Sequence, residues 1–263
     1  MLILIKGAGD LASGIACRLH RAGMKIIMTE TAKPTMVRCT VSFGMAVLNG
    51  QAVVEDITAD LAANIDDIPQ ILAAGNIAVL VDPDTENLSS LHPAAIVDAI
   101  LAKQNTGTTS DDAPEVVAVG PGFTAGEDCH AVIESMRGHD LGRVIYKGSA
   151  IPDTGEPGEI RGASKTRLLR APADGVFVPL AAIGDFAQEG QVVAQVAGMD
   201  IKAGLTGMIR GMMIAGTPAC VGLKVGDIDP STNPYLWQSV SDKALAIGGG
   251  VLEAILHFIN RTE

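Results

Sequence analysis

Residues 1–14, M-L-I-L-I-K-G-A-G-D-L-A-S-G, run from a short apolar stretch directly into a glycine-rich turn. Leu2 to Ile5 read as a buried parallel strand, because a strand covered on both faces needs continuous rather than alternating apolar residues. Gly7, Gly9 and Ala12 fit G-x-G-x-x-G/A, the pattern that lets backbone N–H groups at a helix N-terminus approach a pyrophosphate. Leu11 to Ala22 is the expected amphipathic helix, stopped at Gly23, and Lys25 to Met28 the next strand. That strand reaches Glu30, about 20 residues beyond the glycines, where an acidic side chain would take the ribose hydroxyls of a dinucleotide. Asp10 stands at the mouth of the turn, where a carboxylate caps the helix and repels a phosphate. Two readings follow. Either Lys6, Gly7, Gly9, Asp10 and Glu30 form a nucleotide-type site, or the glycine turn is structural only.

A chain of 263 residues with 48% hydrophobic content can bury a sizeable core as one large or two small domains. The net charge of -11 argues against nucleic acid and anionic membrane surfaces, both of which need basic patches. Aromatic residues make up only 3% of the chain, so few platforms exist on which bases could stack. No stretch approaches about 18 uninterrupted apolar residues and no cleavable leader is read at the N-terminus, so the cytoplasm is the expected compartment. Cys17, Cys39, Cys129 and Cys220 are widely spaced without a C-x-x-C, which supports neither a disulfide framework nor a zinc ribbon. No metal site is expected.

Beyond Glu30, strands and helices alternate. Asn49-Gly50 between apolar flanks is a hairpin signal. Ile68 to Ala74 is an expected helix ended by Gly75, and Ile77 to Val81 a buried strand. Ala94 to Ala102 reads either as a helix or, in A-I-V-D-A-I, as a strand, and Asn105 to Asp112 as a loop. Val116 to Val119 is a further strand that also ends in glycines, Gly120, Gly122 and Gly126. In a parallel sheet both glycine turns share one carboxyl edge, where open α/β sheets bind ligands. Ala131 to Met136 is read as a helix, which puts Cys129 and His130 in its first turn. There the helix dipole would favour a thiolate, while Glu127 and Asp128 oppose it. The bland reading packs Cys129 inward as a small hydrophobe.

From Arg170 onward the chain repeats itself. Gly175, Gly184 and Gly190 match Gly207, Gly216 and Gly222 at a constant offset of 32 residues. This pattern is similar to the biotinyl/lipoyl barrel-sandwich hybrid. Lys202 stands where such modules carry a modified lysine, yet A-G-M-D-I-K lacks the usual context, so a non-carrier version used for packing or partner binding is expected. Asp227 and Asp229 in G-D-I-D-P suit a turn better than a metal. Ser241 or Asp242 caps a C-terminal helix from Lys243 to Ile259, interrupted by Gly248, Gly249 and Gly250, which implies close approach of a backbone or ligand, or a break. The expected fold class is therefore α/β: a Rossmann-like ligand-binding domain (1–163), a barrel-sandwich β domain (164–230) and a C-terminal helical segment (231–263).

The motifs K-G-A-G-D-L-A-S-G, G-P-G-F-T-A-G-E-D-C-H-A-V-I-E, R-G-H-D-L-G-R-V-I, R-A-P-A-D-G, K-V-G-D-I-D-P and S-D-K-A-L-A-I-G-G-G-V-L-E-A occur in this order along nearly the whole chain. In them the chain resembles the YqeB family, accessory proteins associated with selenium-dependent molybdenum hydroxylases. Through its first half it is also distantly similar to xanthine dehydrogenase accessory factors. The resemblance implies a role in maturing a molybdenum hydroxylase apoenzyme, by delivery or modification of its molybdopterin cofactor. On that reading Gly7, Gly9, Gly120 and Gly122 supply backbone donors, Lys6 adds positive charge, Glu30 reads a ribose, and Cys129 with His130 as base transfers sulfur or selenium. A molybdopterin-type ligand and NAD(P) fit the same physics. The alternatives are an NAD(P)-dependent oxidoreductase, for which no Tyr-x-x-x-Lys is found, and a non-catalytic docking scaffold. The large apolar fraction is also compatible with a homo-oligomer.

Overall fold

The computed structural model describes residues 1–85, 89–155 and 162–260. The chain divides into two compact units: Met1–Pro34 with Ser42–Thr154 and Val240–Glu263, and Thr35–Val41 with Gly155–Ser239.

The first unit is built on β1 (Leu2–Lys6), whose Ile3, Leu4 and Ile5 are all fully or almost fully buried. Helix α1 (Asp10–Arg21) leads to β2 (Lys25–Glu30), then α2 (Ala46–Asn49), β3 (Gln51–Val54), β4 (Ile57–Ala62), α3 (Ile68–Ala73) and β5 (Ile77–Val81). The chain continues through β6 (Ala95–Asp98), β7 (Glu115–Val119), β8 (Thr124–Ala125), β9 (Ala131–Ile133), β10 (Val144–Ile145) and β11 (Gly148–Ser149). Nine of these strands form one sheet in the order β10-β9-β7-β6-β1-β2-β5-β4-β3, and β8 pairs with β11 separately. Seven neighbouring strands run parallel, while β3 and β10 close the two edges antiparallel. On either side of β1 the chain order runs in opposite directions, which leaves a crevice at the carboxyl ends of β1 and β6.

The second unit holds β12 (Leu168–Arg170), β13 (Gly175–Pro179), β14 (Phe186–Ala187), β15 (Val192–Val196), β16 (Met199–Lys202), β17 (Gly207–Met212), β18 (Pro218–Ala219), β19 (Lys224–Asp229) and α4 (Tyr235–Gln238). Strands β13, β14 and β15 begin at 175, 186 and 192, and β17, β18 and β19 at 207, 218 and 224, so each copy of the repeat contributes three strands. With β12 and β16 they form two four-stranded antiparallel sheets, β12-β19-β17-β14 and β16-β15-β13-β18, around a core that includes Phe177, Val193, Ile209 and Ile228.

The last helix, α5 (Asp242–Ile259), returns to the first unit. Ser241 Oγ accepts the Ala244 N–H at 3.2 Å as its cap. Helix α5 crosses α1 through small residues. A Cβ on Gly14 would lie 2.5 Å from that of Ala244, and one on Gly248 3.2 Å from the Gly14 carbonyl. A Cβ on Gly250 would collide with the Gly142 carbonyl, whereas Gly249 faces open space. Two of the three consecutive glycines therefore serve backbone approach, and the helix runs through them unbroken.

The structure corrects several expectations. The Rossmann-like domain followed by a barrel-sandwich module is replaced by a mixed sheet with a large parallel core and two four-stranded sheets that form no clear biotinyl/lipoyl barrel-sandwich. The linking strands β14 and β18 are only two residues long, too short for a continuous closing ladder. Lys202 lies at the far end of β16 from the Ala197-Gly198 turn, paired with Val192, so no lysine is presented on that hairpin. Asn49-Gly50 ends helix α2, with Gly50 left-handed at φ 79, because Asn-Gly satisfies a helix C-cap as readily as a hairpin. Of the two readings of Ala94 to Ala102 the strand holds, as β6, whereas the helix expected from Ala131 is strand β9. Asp227 and Asp229 belong to strand β19 rather than to a turn. Among the described residues no helix is long and apolar enough to cross a membrane, and no group of three or more His, Cys, Asp or Glu side chains could hold a metal ion.

Candidate functional site

At the carboxyl end of β1 the chain turns through Gly7, Ala8 and Gly9 into α1. Gly7 has φ +92 and its N–H donates to the Thr29 carbonyl at 2.9 Å. A Cβ there would lie 3.0 Å from the Ala99 carbonyl, so this glycine admits the chain leaving β6. Gly9 differs. Its backbone is extended (φ -69, ψ -177), nothing lies within 4 Å of its Cβ position, and no side chain caps the helix it starts. The N-cap glycine therefore places no side chain over the first turn of α1, as at helix starts that admit an anion. Asp10 occupies the first turn itself. Glu30, at the end of β2, reaches back to this turn: its carboxylate accepts the Ala8 N–H at 3.1 Å and the Thr31 N–H at 2.8 Å. Buried Ser13 holds the turn from behind, donating to the Ala8 carbonyl at 3.2 Å and accepting the Phe43 N–H at 2.8 Å.

The second glycine turn follows β7 at the same sheet edge. Its three glycines are left-handed, and two are crowded by the protein: a Cβ on Gly120 would lie 2.7 Å from Ser135 Oγ and one on Gly122 2.6 Å from the Gln104 backbone, whereas Gly126 faces open space. Cys129 precedes a strand, so no helix dipole acts on it, and it is 1% exposed in a cluster with Val116, Phe123 and Val132. Burial, with Asp128 nearby, pushes its thiol up to about 12, which leaves almost no thiolate near neutral pH. His130 Nδ1 accepts the Val116 N–H at 2.9 Å, and its ring meets Phe258 edge-on at 5.6 Å. Cys129 and His130 thus have packing and backbone-bonding roles, and the expected helix that would have activated the thiol is absent.

Lys6 does not join the glycine turn. Side chains alternate along a strand, so Lys6 shares the face of Leu4. There it is 7% exposed, and its ammonium donates to Thr108 Oγ1 at 3.0 Å and to Asp112 Oδ2 at 3.1 Å. Thr108 Oγ1 in turn donates to Asp98 Oδ2 at 2.6 Å. Asp98 is Lys6's register partner on β6 and is 1% exposed. Burial alone would raise the Asp112 carboxyl, but hydrogen bonds from Thr109 and Lys6 outweigh it and hold the group below its ordinary range. Beside this chain of polar groups lies a cavity of about 400 Å³, lined by the aliphatic Leu4, Ile96 and Ile100 and by Asp84, Thr106 and Asp111. Asp98, Thr108 and Asp112 were not anticipated. The available signals were a single acid closing the apolar run A-I-V-D and the capping pattern T-S-D-D at 109–112, both of which read locally as strand end and loop.

No protein-family model matches the chain. Among solved structures it is similar to an aspartoacylase family protein from Mesorhizobium loti, at TM-score 0.28 and 11% identity over 86% of this chain and 84% of that one. It is also similar to a succinylglutamate desuccinylase from Silicibacter, at TM-score 0.26 and 12% identity over 86% of this chain and 84% of that one. Likeness at that level carries no chemistry across. In sequence the chain is 51% identical over 260 residues to "Uncharacterized protein YqeB" of Escherichia coli (strain K12), covering 99% of this chain and 48% of that protein. The chain spans about half the length of the curated relative it matches. Over nearly all its residues it is therefore a homologue of YqeB, aligned to about half of that protein.

Proposed function

We propose that the protein is an accessory factor in the maturation of a selenium-dependent molybdenum hydroxylase, acting in the cytoplasm and holding a phosphorylated pterin or nucleotide at the carboxyl edge of its sheet. The hydroxylase and its cofactor come from the family resemblance. The observation that carries the binding role is the start of α1, where an open Gly9 backbone and a helix end without a side-chain cap adjoin the Glu30 carboxylate. A phosphate would lie against the first-turn N–H groups, and ribose hydroxyls would donate to Glu30. Partner docking is supported by the outer face of β13, where Val176, Val178 and Leu180 beyond its end are 53%, 47% and 55% exposed, an aliphatic stripe that water-facing sheets rarely present.

Gly9→Leu tests the reading. The native φ and ψ suit any residue and the Cβ position is empty, so the variant should fold, with a melting temperature lowered by no more than the loss of a favourable N-cap residue. Protein purified from its own host, released by denaturation and analysed by mass spectrometry, should carry a phosphorylated pterin or nucleotide that the variant lacks. NAD(P) as the sole ligand would favour the oxidoreductase. An equal ligand load in both proteins would overturn the site.

A further inference from the structure

The cavity beside Lys6 lies on the Leu4 face of β1, and its chemistry is not that of a phosphate site. The carboxylates of Asp84, Asp111 and Asp112 line it against a single ammonium, so an anion would be repelled. A simple cation would be drawn to the carboxylates but brings no acceptor for the Lys6 ammonium in the wall. That ammonium has three N–H groups and, among the described residues, makes two hydrogen bonds, to Thr108 and Asp112, which leaves one donor for an incoming acceptor. A complementary ligand therefore brings one acceptor for Lys6 and, close to it, donors for the rim carboxylates Asp84 and Asp111. Leu4, Ile96 and Ile100 add aliphatic lining against which a ring can pack. At about 400 Å³ the cavity falls within the range of roughly 300–1,000 Å³ typical of small-molecule sites.

We propose that this cavity binds the amino-oxo edge of a planar heterocycle of the nucleobase type, its ring carbonyl accepting from Lys6 and its ring N–H and exocyclic amino group donating to Asp84 or Asp111. The buried polar groups behind it fix the donor. Asp98 accepts from Thr108, and Thr108 and Asp112 hold the ammonium in place at the cavity wall. The inference does not depend on the phosphate reading of Gly9, and the probes that test it carry no phosphate.

Guanosine presents this edge; inosine keeps the carbonyl and ring N–H but lacks the amino group. Calorimetric titration, with saturation-transfer NMR to locate the contacting protons, should show guanosine bound at least about tenfold more tightly than inosine, because a carboxylate set for two donors is left half paired. In the Asp84→Asn, Asp111→Asn double variant this preference should vanish. Both side chains are exposed, so an unchanged melting temperature checks that the variant is folded. Gly9→Leu should bind guanosine as the native chain does, so loss of the phosphate site and loss of this one are separable. Equal affinity for the two nucleosides, no guanosine binding up to about 1 mM, or an undiminished preference in the double variant would overturn the proposal.

Discussion

Gly7 and Gly9 lie two positions apart in one motif, and their surroundings assign them different work. Gly7 yields room to the protein's own backbone; Gly9 yields room to solvent. The distinction is invisible in the motif, because it depends on residues 99 and 100, which approach only after β6 has paired with β1. The same holds for Lys6, whose partners lie 102 and 106 residues away. Cysteines behave alike. Burial pushes the Cys17 and Cys129 thiols up to about 12 and that of Cys39 to about 11, whereas Cys220 is exposed. Iodoacetamide applied to the native protein at about pH 8 should therefore label Cys220 first and leave the other three largely unmodified until the chain is unfolded. Peptide mass spectrometry reads the outcome, and labelling of Cys129 as fast as Cys220 would restore it as a reactive thiol.

Elements with strong local signals were legible in the sequence. The runs Leu2 to Ile5, Ile77 to Val81 and Val116 to Val119 are strands because unbroken aliphatic residues can be buried on both faces of a parallel sheet. Helix α1 follows from its amphipathic spacing and from Gly23 just beyond its end. Ala131 to Met136 failed because three buried residues, Ala131, Val132 and Ile133, suit either period, and pairing with β7 decides between them. Helix α5 illustrates a signal that was present but ambiguous. Gly248 and Gly250 face neighbouring backbone and Gly249 faces open space, so equal intrinsic propensities have unequal consequences. Gly249→Ala should stabilise the protein by up to about 1 kcal/mol through helix propensity alone. Gly250→Ala should destabilise it by about 1–3 kcal/mol, since its methyl group must displace the Gly142 carbonyl. Paired thermal or urea unfolding curves measure both, and a similar effect of the two substitutions would refute the packing account of α5.

At the scale of the whole molecule, acidic composition and buried charge act together on stability. In the second unit Asp227 is fully buried and accepts Arg167 Nη1 at 3.0 Å and Arg210 Nη2 at 2.6 Å, with Asp229 3.8 Å from Arg210. Burial alone would raise the Asp227 carboxyl, but the charges of Lys224, Arg210 and Arg167 outweigh it and hold the group below its ordinary range. A depressed carboxyl contributes stability that is complete above its unfolded value, near 3.9, and is lost as pH falls through the lower folded value. Below about pH 4 the chain should therefore lose stability as Asp227 is forced to take a proton and its guanidinium partners lose their counter-charge. Asp227→Asn should cost about 3–5 kcal/mol near neutral pH, because Arg167 and Arg210 both lose their shared buried carboxylate. The variant should also show a shallower acid limb, since this proton uptake is gone. Melting temperatures of both proteins between about pH 2.5 and 7 provide the comparison. Parallel acid limbs would mean that Asp227 contributes no pH-linked stability, and that other carboxylates among the chain's 30 acidic residues set its acid sensitivity.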